Sequence, residues 1–428
     1  MLKTLFKSSL ARNTMWITAG QGVRLIIQAL YFVEIARSLG VRNYGAFVGV
    51  VALVGIVYSF GSLGAGNLLI KNVSRDKTLF ANYWGRALML TAGVGTLLLL
   101  GVSSVSRFVL PPEIPRLLVV LVAAADIFGL NIITLSAYAF VAFERFKWTA
   151  AFYVMMTGGR LIGALILITL YSHPSALQWS YLYFGSTAVV AAISAAIVCI
   201  KLGLPRFTWE GAWAEMSEGF YFSASLTAQT VYNDIDKTML ARLSTLEATG
   251  IYGAAYRIID VSCVPISALM VSSYPSFFRA GAGGISACLS YAMPLLRRAL
   301  AYGGLVCLAL LISARAVPYF LGPDYAPTAE ALRWLAALPV LRAIHYTFSN
   351  TLTGAGYQSV RAWMQAGVAV FNVLLNLWII PAYSWRGAAW SSIISDAALV
   401  LGVGTAVFVL STRSSHNAVR VIAEPECG

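Results

Sequence analysis

Charge is the first thing this chain lacks. Only 11% of its 428 residues are Asp, Glu, Lys or Arg, against about 25% in a soluble globular chain. So little polar surface excludes a water-soluble protein. Acidic residues are the scarcer sign, 17 against 30 basic, and there are only three histidines and five cysteines. The cysteines (Cys199, Cys263, Cys288, Cys307 and Cys427) show no metal or redox spacing. Neither a zinc site nor a disulfide framework is expected, and no cofactor motif accompanies them. Also missing are a cleavable signal after the basic start "MLKTLFKSSLARN" and any polar stretch long enough to fold as a separate domain. No carboxylate pair or nucleophile constellation stands on the short connecting loops. That argues against an enzyme, including a membrane glycosyltransferase or polymerase of lipid-linked sugars.

What the chain has is apolar sequence: 59% hydrophobic residues and a mean hydropathy of +0.76. A helix needs about 20 mainly apolar residues to cross the ~30 Å hydrocarbon core. That ruler finds twelve spans, at 14–36, 44–68, 82–106, 117–142, 149–171, 178–200, 218–242, 250–275, 291–314, 329–354, 360–381 and 387–411. Proline-rich breaks, "LPPEIPR" (110–116) and "FLGPDYAP" (320–327), fall between spans 3 and 4 and between spans 9 and 10. The net charge of +13 sits in short loops and not on one basic domain, which excludes nucleic acid as a partner. With the N-terminus in the cytoplasm, seventeen of the 30 Lys and Arg fall on the cytoplasmic side, eight outside and five within spans. That bias places both termini inside. Residues 1–13 read as a short interfacial cytoplasmic helix or as a disordered tail, and residues 412–428 as a cytoplasmic tail.

The two halves echo each other. "EIARSLGVRNYGAFVGVVAL" (34–53) and "MLARLSTLEATGIYGAAYRI" (239–258) both run from Ala-Arg through a polar turn to Tyr-Gly, about half a chain apart. A weaker pair is "AYAFVAFERFKWTAA" (137–151) against "SNTLTGAGYQSVRAW" (349–363). Two halves that both start inside make a parallel repeat about an axis along the membrane normal, with lobes over 14–205 and 206–411. Substrate paths then lie between the lobes near the midplane.

These stretches, with "SSYPSFFRA" (272–280), "LGPDYAPTAEALRWLAALPVL" (321–341) and "VAVFNVLLNLWIIP" (368–381), resemble the polysaccharide-transporter branch of the multidrug/oligosaccharidyl-lipid/polysaccharide exporter superfamily. That branch includes O-antigen and exopolysaccharide repeat-unit flippases. The resemblance covers nearly the whole chain. It implies an all-α membrane protein of twelve transmembrane helices, in two six-helix lobes forming a V around a central cavity. It further implies alternating access, a monomeric working unit, and an undecaprenyl-diphosphate-linked glycan carried from the inner to the outer leaflet. A bacterial inner membrane, membrane lipids, and polysaccharide polymerase or assembly proteins as partners go with it.

Polar stripes mark spans 1, 7, 10 and 11 at about 100° per residue. Span 1 carries Thr18, Gln21, Arg24, Gln28 and Tyr31 on one side, and span 7 carries Ser225, Gln229, Tyr232, Asn233 and Asp236. Span 10 lines up Arg342, His345, Ser349 and Thr353, and span 11 Gln365, Asn372 and Asn376. Such groups face protein or a watery cavity, not lipid. For Asn372 and Asn376, helix–helix glue and cavity lining are equally open. Lys237 with Asp234, and Arg257 with Asp260, are within helical reach and read as structural pairs. Arg24, Arg160 and Arg342 have no acid within a turn, so each wants either an anionic ligand or a carboxylate on another helix, with Asp126 and Asp396 as candidates. Arg24, between Gln21 and Gln28, is the favoured diphosphate anchor, followed by Arg342 with His345 and then Arg160. Gln229, Asn233 and Asn372 complete the expected cavity lining, and Asp126, Asp236 and Asp396 are coupling candidates. A cation-coupled multidrug antiporter of the same superfamily is the chief alternative. A lipid-linked peptidoglycan-precursor flippase also suits the chemistry but is expected to carry fourteen spans.

Overall fold

The computed structural model describes residues 9–208 and 212–423. The interfacial helix expected over 1–13 lies largely outside the described residues, as do the end of the tail from 424, Cys427, and the side chains of Thr18, Ser225 and Gln229. Everything described as regular structure is helical, as long apolar runs without strand alternation demand.

The chain order is α1 (Ser9–Tyr58), α2 (Ala65–Val73), α3 (Phe80–Val109) and α4 (Arg116–Ala124). A π-helical turn (Ala125–Leu130) leads into α5 (Asn131–Ala142). Then come α6 (Phe146–Leu170), α7 (Ala176–Leu202), α8 (Ala212–Leu243), α9 (Leu246–Gly281) and α10 (Gly284–Ser313). The short α11 (Val317–Leu321), α12 (Ala326–Leu335), α13 (Leu338–Gly354) and the long α14 (Gln358–Ala423) complete it.

Among the described residues, eight helical segments are long and apolar enough to cross a membrane. The two longest are interrupted within the helix. Gly20–Tyr58 has 39 residues and Gln358–Thr412 has 55, about 58 and 82 Å at 1.5 Å per residue. Each is broken inside by one residue with non-helical geometry, Gly40 (φ 68°) and Ser384 (φ 56°). Both breaks fall in gaps between the spans read from the sequence, 37–43 and 382–386. Spans 7 and 10 are not among the eight. Span 7 lies on α8, whose last turns hold Asp234, Asp236, Lys237 and Arg242, and span 10 is divided between α12 and α13.

The chain divides into two compact units between Gly250 and Ile251. In the first, α1 packs along α6 and α8, and α6 along α7. Its core gathers Trp84, Phe140, Phe152 and Leu135. The helix α8, which the repeat assigns to the second half, therefore packs with helices of the first. In the second unit, α10 packs on α13 and α13 on α14, around Ile266, Met270, Ala299 and Ala343 and a neighbouring cluster of Phe277, Cys288 and Ala292.

The outer faces are apolar. On α3, Leu97, Leu100 and Phe108 are 70%, 60% and 68% exposed, and on α10 Leu305, Leu308 and Ile312 stand out likewise. Rows of exposed Leu, Phe and Ile at helical spacing are intolerable in water and expected against lipid tails.

Candidate functional site: buried charges in each unit

In the first unit the π turn places Asp126 inside the bundle. An extra residue per turn rotates the chain locally, and such turns recur at functional positions. Asp126 is 6% exposed. Its Oδ1 accepts from Arg160 Nη2 on α6 at 3.0 Å and from the Tyr183 hydroxyl on α7 at 2.8 Å. The Arg160 guanidinium also lies 4.2 Å from the Tyr183 ring centroid. Three helices thus converge on one carboxylate. Next to it, Asn131 Nδ2 donates to the carbonyls of Tyr58 and Ile127 at 3.2 and 3.0 Å, tying the end of α1 to the π turn.

Arg24 sits on α1, half-buried, with its guanidinium 5.2 Å from the Tyr153 ring centroid. Gln21 is exposed and Gln28 half-buried. On α8, Lys237 Nζ pairs with Asp234 and donates to the Asn233 carbonyl at 3.2 Å, as the helical spacing requires. Asp236 is buried and accepts from the Lys237 amide at 2.7 Å.

In the second unit Arg342, 6% exposed, is the centre of another convergence. Nη1 donates to Asp260 at 3.0 Å, Nη2 to the Tyr256 hydroxyl at 2.7 Å, and Nε stands 3.8 Å from Asp396. The pair expected between Arg257 and Asp260 is corrected here. Asp260 accepts from Arg342 on α13 instead. His345, one turn along α13, is buried with its ring 4.5 Å from that of Tyr346. On α14, Asn372 Nδ2 donates to Ser395 at 3.0 Å and Ser391 at 3.4 Å, and its Oδ1 accepts from Asn376 at 2.9 Å. This ladder joins the two stretches of α14 on either side of Ser384, which makes it helix–helix glue whatever else it does.

Cross-helix acids therefore meet both Arg160 and Arg342, at Asp126 and Asp396 as the sequence allowed, with Asp260 added. The sequence reading passed over Tyr183 and Tyr256. Tyr256 stands one turn before Asp260 in "YRIID", a signal that was there to read. Tyr183 lies on a different helix from both its partners and gave none. No three His, Cys, Asp or Glu converge as a metal group among the described residues, and Cys199, Cys263, Cys288 and Cys307 are free thiols.

Comparison with known proteins places this geometry. The profile of the polysaccharide biosynthesis protein family matches residues 10–280. An inward-facing multidrug resistance MATE family transporter of the MOP superfamily superposes with a TM-score of 0.74 at 17% identity, over 91% of this chain and 96% of that one. The lipid II flippase MurJ, in an inward closed conformation, gives 0.71 at 12% identity over 96% and 94%. A MOP superfamily transporter from Pyrococcus furiosus, described as having a binding pocket of reversed polarity, gives 0.62 at 16% over 93% and 96%. Comparison with curated protein sequences gives no match. At these identities the superpositions speak for the fold, which is that of the MOP exporters. With the profile matching well over half of its length, the chain belongs to the polysaccharide biosynthesis protein family.

Proposed function

We propose that this protein is a flippase that moves a polyprenyl-diphosphate-linked oligosaccharide, a polysaccharide repeat unit such as that of O-antigen, from the inner to the outer leaflet by alternating access. Such a solute joins an anionic diphosphate, a polar glycan and a greasy tail. Family membership supports polysaccharide synthesis as the setting, and the likeness to MOP exporters supports transport as the activity. The observation that carries the reading further is Arg24. It is half-buried on α1 with Gln21 exposed one turn before it and its guanidinium against Tyr153. A guanidinium fork suits two phosphate oxygens, and amides and aromatics suit a glycan. Arg160 and Arg342 hold carboxylates, and Arg24 is the favoured anchor for its place beside Gln21 and Tyr153.

The crossings count to twelve in this reading: the eight long segments, one more from each of the two that are broken, and α8 and α12–α13. Two six-helix lobes forming a V, both termini in the cytoplasm, an inner bacterial membrane, and polymerase or assembly proteins as partners belong to the same proposal. Asp126, Asp236 and Asp396, all buried, remain the coupling candidates.

The test is delivery of lipid-linked glycan in cells lacking their own exporter, with Arg24→Ala and Arg24→Lys after membrane insertion is confirmed. Loss with Ala and partial rescue with Lys is the expected result, and full activity in both retires Arg24 as the anchor. The TM-score to the multidrug transporter favours a second reading, a cation-coupled drug antiporter. Resistance to cationic drugs without glycan delivery decides for it.

A further inference from the structure

Four connections of the first unit meet at one end: the corner at Gly40 in α1, the turn 110–115 between α3 and α4, the turn before α7, and the turn between α8 and α9. The contact between the first and last of these is closed to the point of backbone touching backbone. A Cβ placed on Gly45 meets the Leu246 carbonyl oxygen at 1.8 Å, and one on Gly250 meets the Val41 carbonyl oxygen at 2.0 Å. One turn deeper, a Cβ on Gly49 meets Ala241 at 2.9 Å, and the Thr238 hydroxyl donates to the Gly49 carbonyl at 3.4 Å. Glycine at 45, 49 and 250 is therefore what lets the two corners zip together.

Charge closes the rim of this zip. Arg42 reaches Glu113 through Nη2 and Glu247 through Nη1, the second at 3.1 Å. Arg242 donates to the Leu110 carbonyl at 3.5 Å from the other side. The Asn43 side chain accepts from the Ala176 amide at 3.3 Å, capping the start of α7. One arginine on the first corner thus holds two carboxylates on two other connections. The corner it stands on turns at Gly40, at a positive φ of 68° with open space around it, the freest pivot available to a chain.

We propose that this contact is the outer gate of the transporter: a glycine zip between residues 41–49 and 241–250, latched by Arg42 between Glu113 and Glu247, which opens as a unit for release outside. The inference rests on the alternating-access reading and on the topology that puts these connections outside. A transporter needs a closure that is tight against leakage yet reversible. Backbone contact through glycine supplies the tightness. A latch of half-exposed ion pairs, each weak because water and salt screen it, supplies the reversibility. The tyrosines that follow the corners, Tyr44 and Tyr252, are both buried, so each corner is anchored at its base while its rim separates.

Thr249 reports on the zip. It is fully buried, and its methyl is 3.9 Å from where a Gly49 Cβ would stand. In a chain whose five cysteines are replaced by alanine, Thr249→Cys is treated in intact cells with a membrane-impermeant maleimide, and the labelling rate is followed. Labelling is expected to be slow, and to rise about fivefold with Arg42→Glu, which sets three like charges together. It should return to the slow rate in the triple exchange Arg42→Glu, Glu113→Arg, Glu247→Arg. Gly45→Ala should speed it by about tenfold or more whatever the charges, since the added methyl holds the corners apart. Arg42 is a surface group, so its variants fold even where Gly45→Ala does not, and gel filtration in detergent checks each. Labelling that stays slow in every variant, or a triple exchange that fails to restore the slow rate, overturns the gate. The readout needs no substrate, so a silent glycan-delivery assay alongside normal gating refutes the substrate reading alone.

Discussion

The sharpest stability test lies in the ion pair between Asp126 and Arg160. Asp126 is 6% exposed and receives one bond from Arg160 at 3.0 Å and one from Tyr183 at 2.8 Å. Replacing Arg160 with Met keeps the volume and strips the charge, which leaves the carboxylate buried with a single neutral donor. Breaking a buried pair in this way costs about 3–5 kcal/mol, while replacing both partners with apolar groups of similar size is about neutral or stabilising. Asp126→Leu alone should cost less than Arg160→Met, because the stranded arginine, with 14% of its side chain exposed, keeps the Tyr183 ring beneath it. The double variant Asp126→Leu, Arg160→Met should then melt near the wild-type temperature. The interaction energy across the cycle comes to about 3 kcal/mol or more, far outside the few tenths that independent sites show. Apparent melting in detergent at a fixed scan rate measures the order, since membrane proteins of this size unfold irreversibly. Additive losses, with the double variant the least stable, would refute the reasoning. The same proteins also divide structure from mechanism. A double variant that melts normally and delivers glycan marks the pair as scaffold, whereas one that melts normally and delivers none makes Asp126 part of coupling.

Arg257→Ala should leave stability within about 0.5 kcal/mol, whereas Asp260→Asn should destabilise clearly, because Arg342 and not Arg257 holds that carboxylate; thermal melts of the two decide it. Gly85→Ala should fail to insert stably or melt far lower, since its Cβ falls 2.0 Å from the Arg206 carbonyl oxygen, where nothing yields. At the turn before α3, the Thr78 hydroxyl and amide hold the Asp76 carboxyl below the usual carboxylate range. A lowered value adds stability above the unfolded carboxylate's range and withdraws it as pH falls through the folded one. Protection of the amides at residues 77–79, taken relative to their intrinsic exchange rates, should therefore fall in acid, and Asp76→Asn should flatten that dependence.

The elements of the fold were legible because hydropathy and length read directly onto helices, and the prolines at 111–115 and 323 do end them. The kinks were half legible. The gaps between spans at 37–43 and 382–386 each hold a single residue turning within continuous helix, Gly40 and Ser384. Helical spacing found Lys237 with Asp234 because both partners lie on one helix, and it failed for Arg257 with Asp260 because spacing says only what can be reached. The competitor, Arg342, is about eighty residues away in sequence. The π turn at Asp126 was invisible because no residue type within "ADIFGL" marks one in sequence.

These pairs also rearrange what the buried arginines can do for an anion. In the first unit the carboxylate stands on the π turn and the arginine on α6. In the second the arginine stands on α13 and its carboxylates on α9 and α14. Each unit answers its own charge internally. Arg160 and Arg342 then serve stability first. Removing either should lower the melting temperature and carry transport down with it. Arg24, half-buried against Tyr153, should behave the other way: Arg24→Ala melts within a degree or two of wild type and loses glycan delivery. Tyr153→Phe keeps the ring beneath the guanidinium and should keep delivery, while Tyr153→Ala should not. An Arg24 variant that loses stability in step with transport would return it to the scaffold and leave the diphosphate without an anchor in this chain.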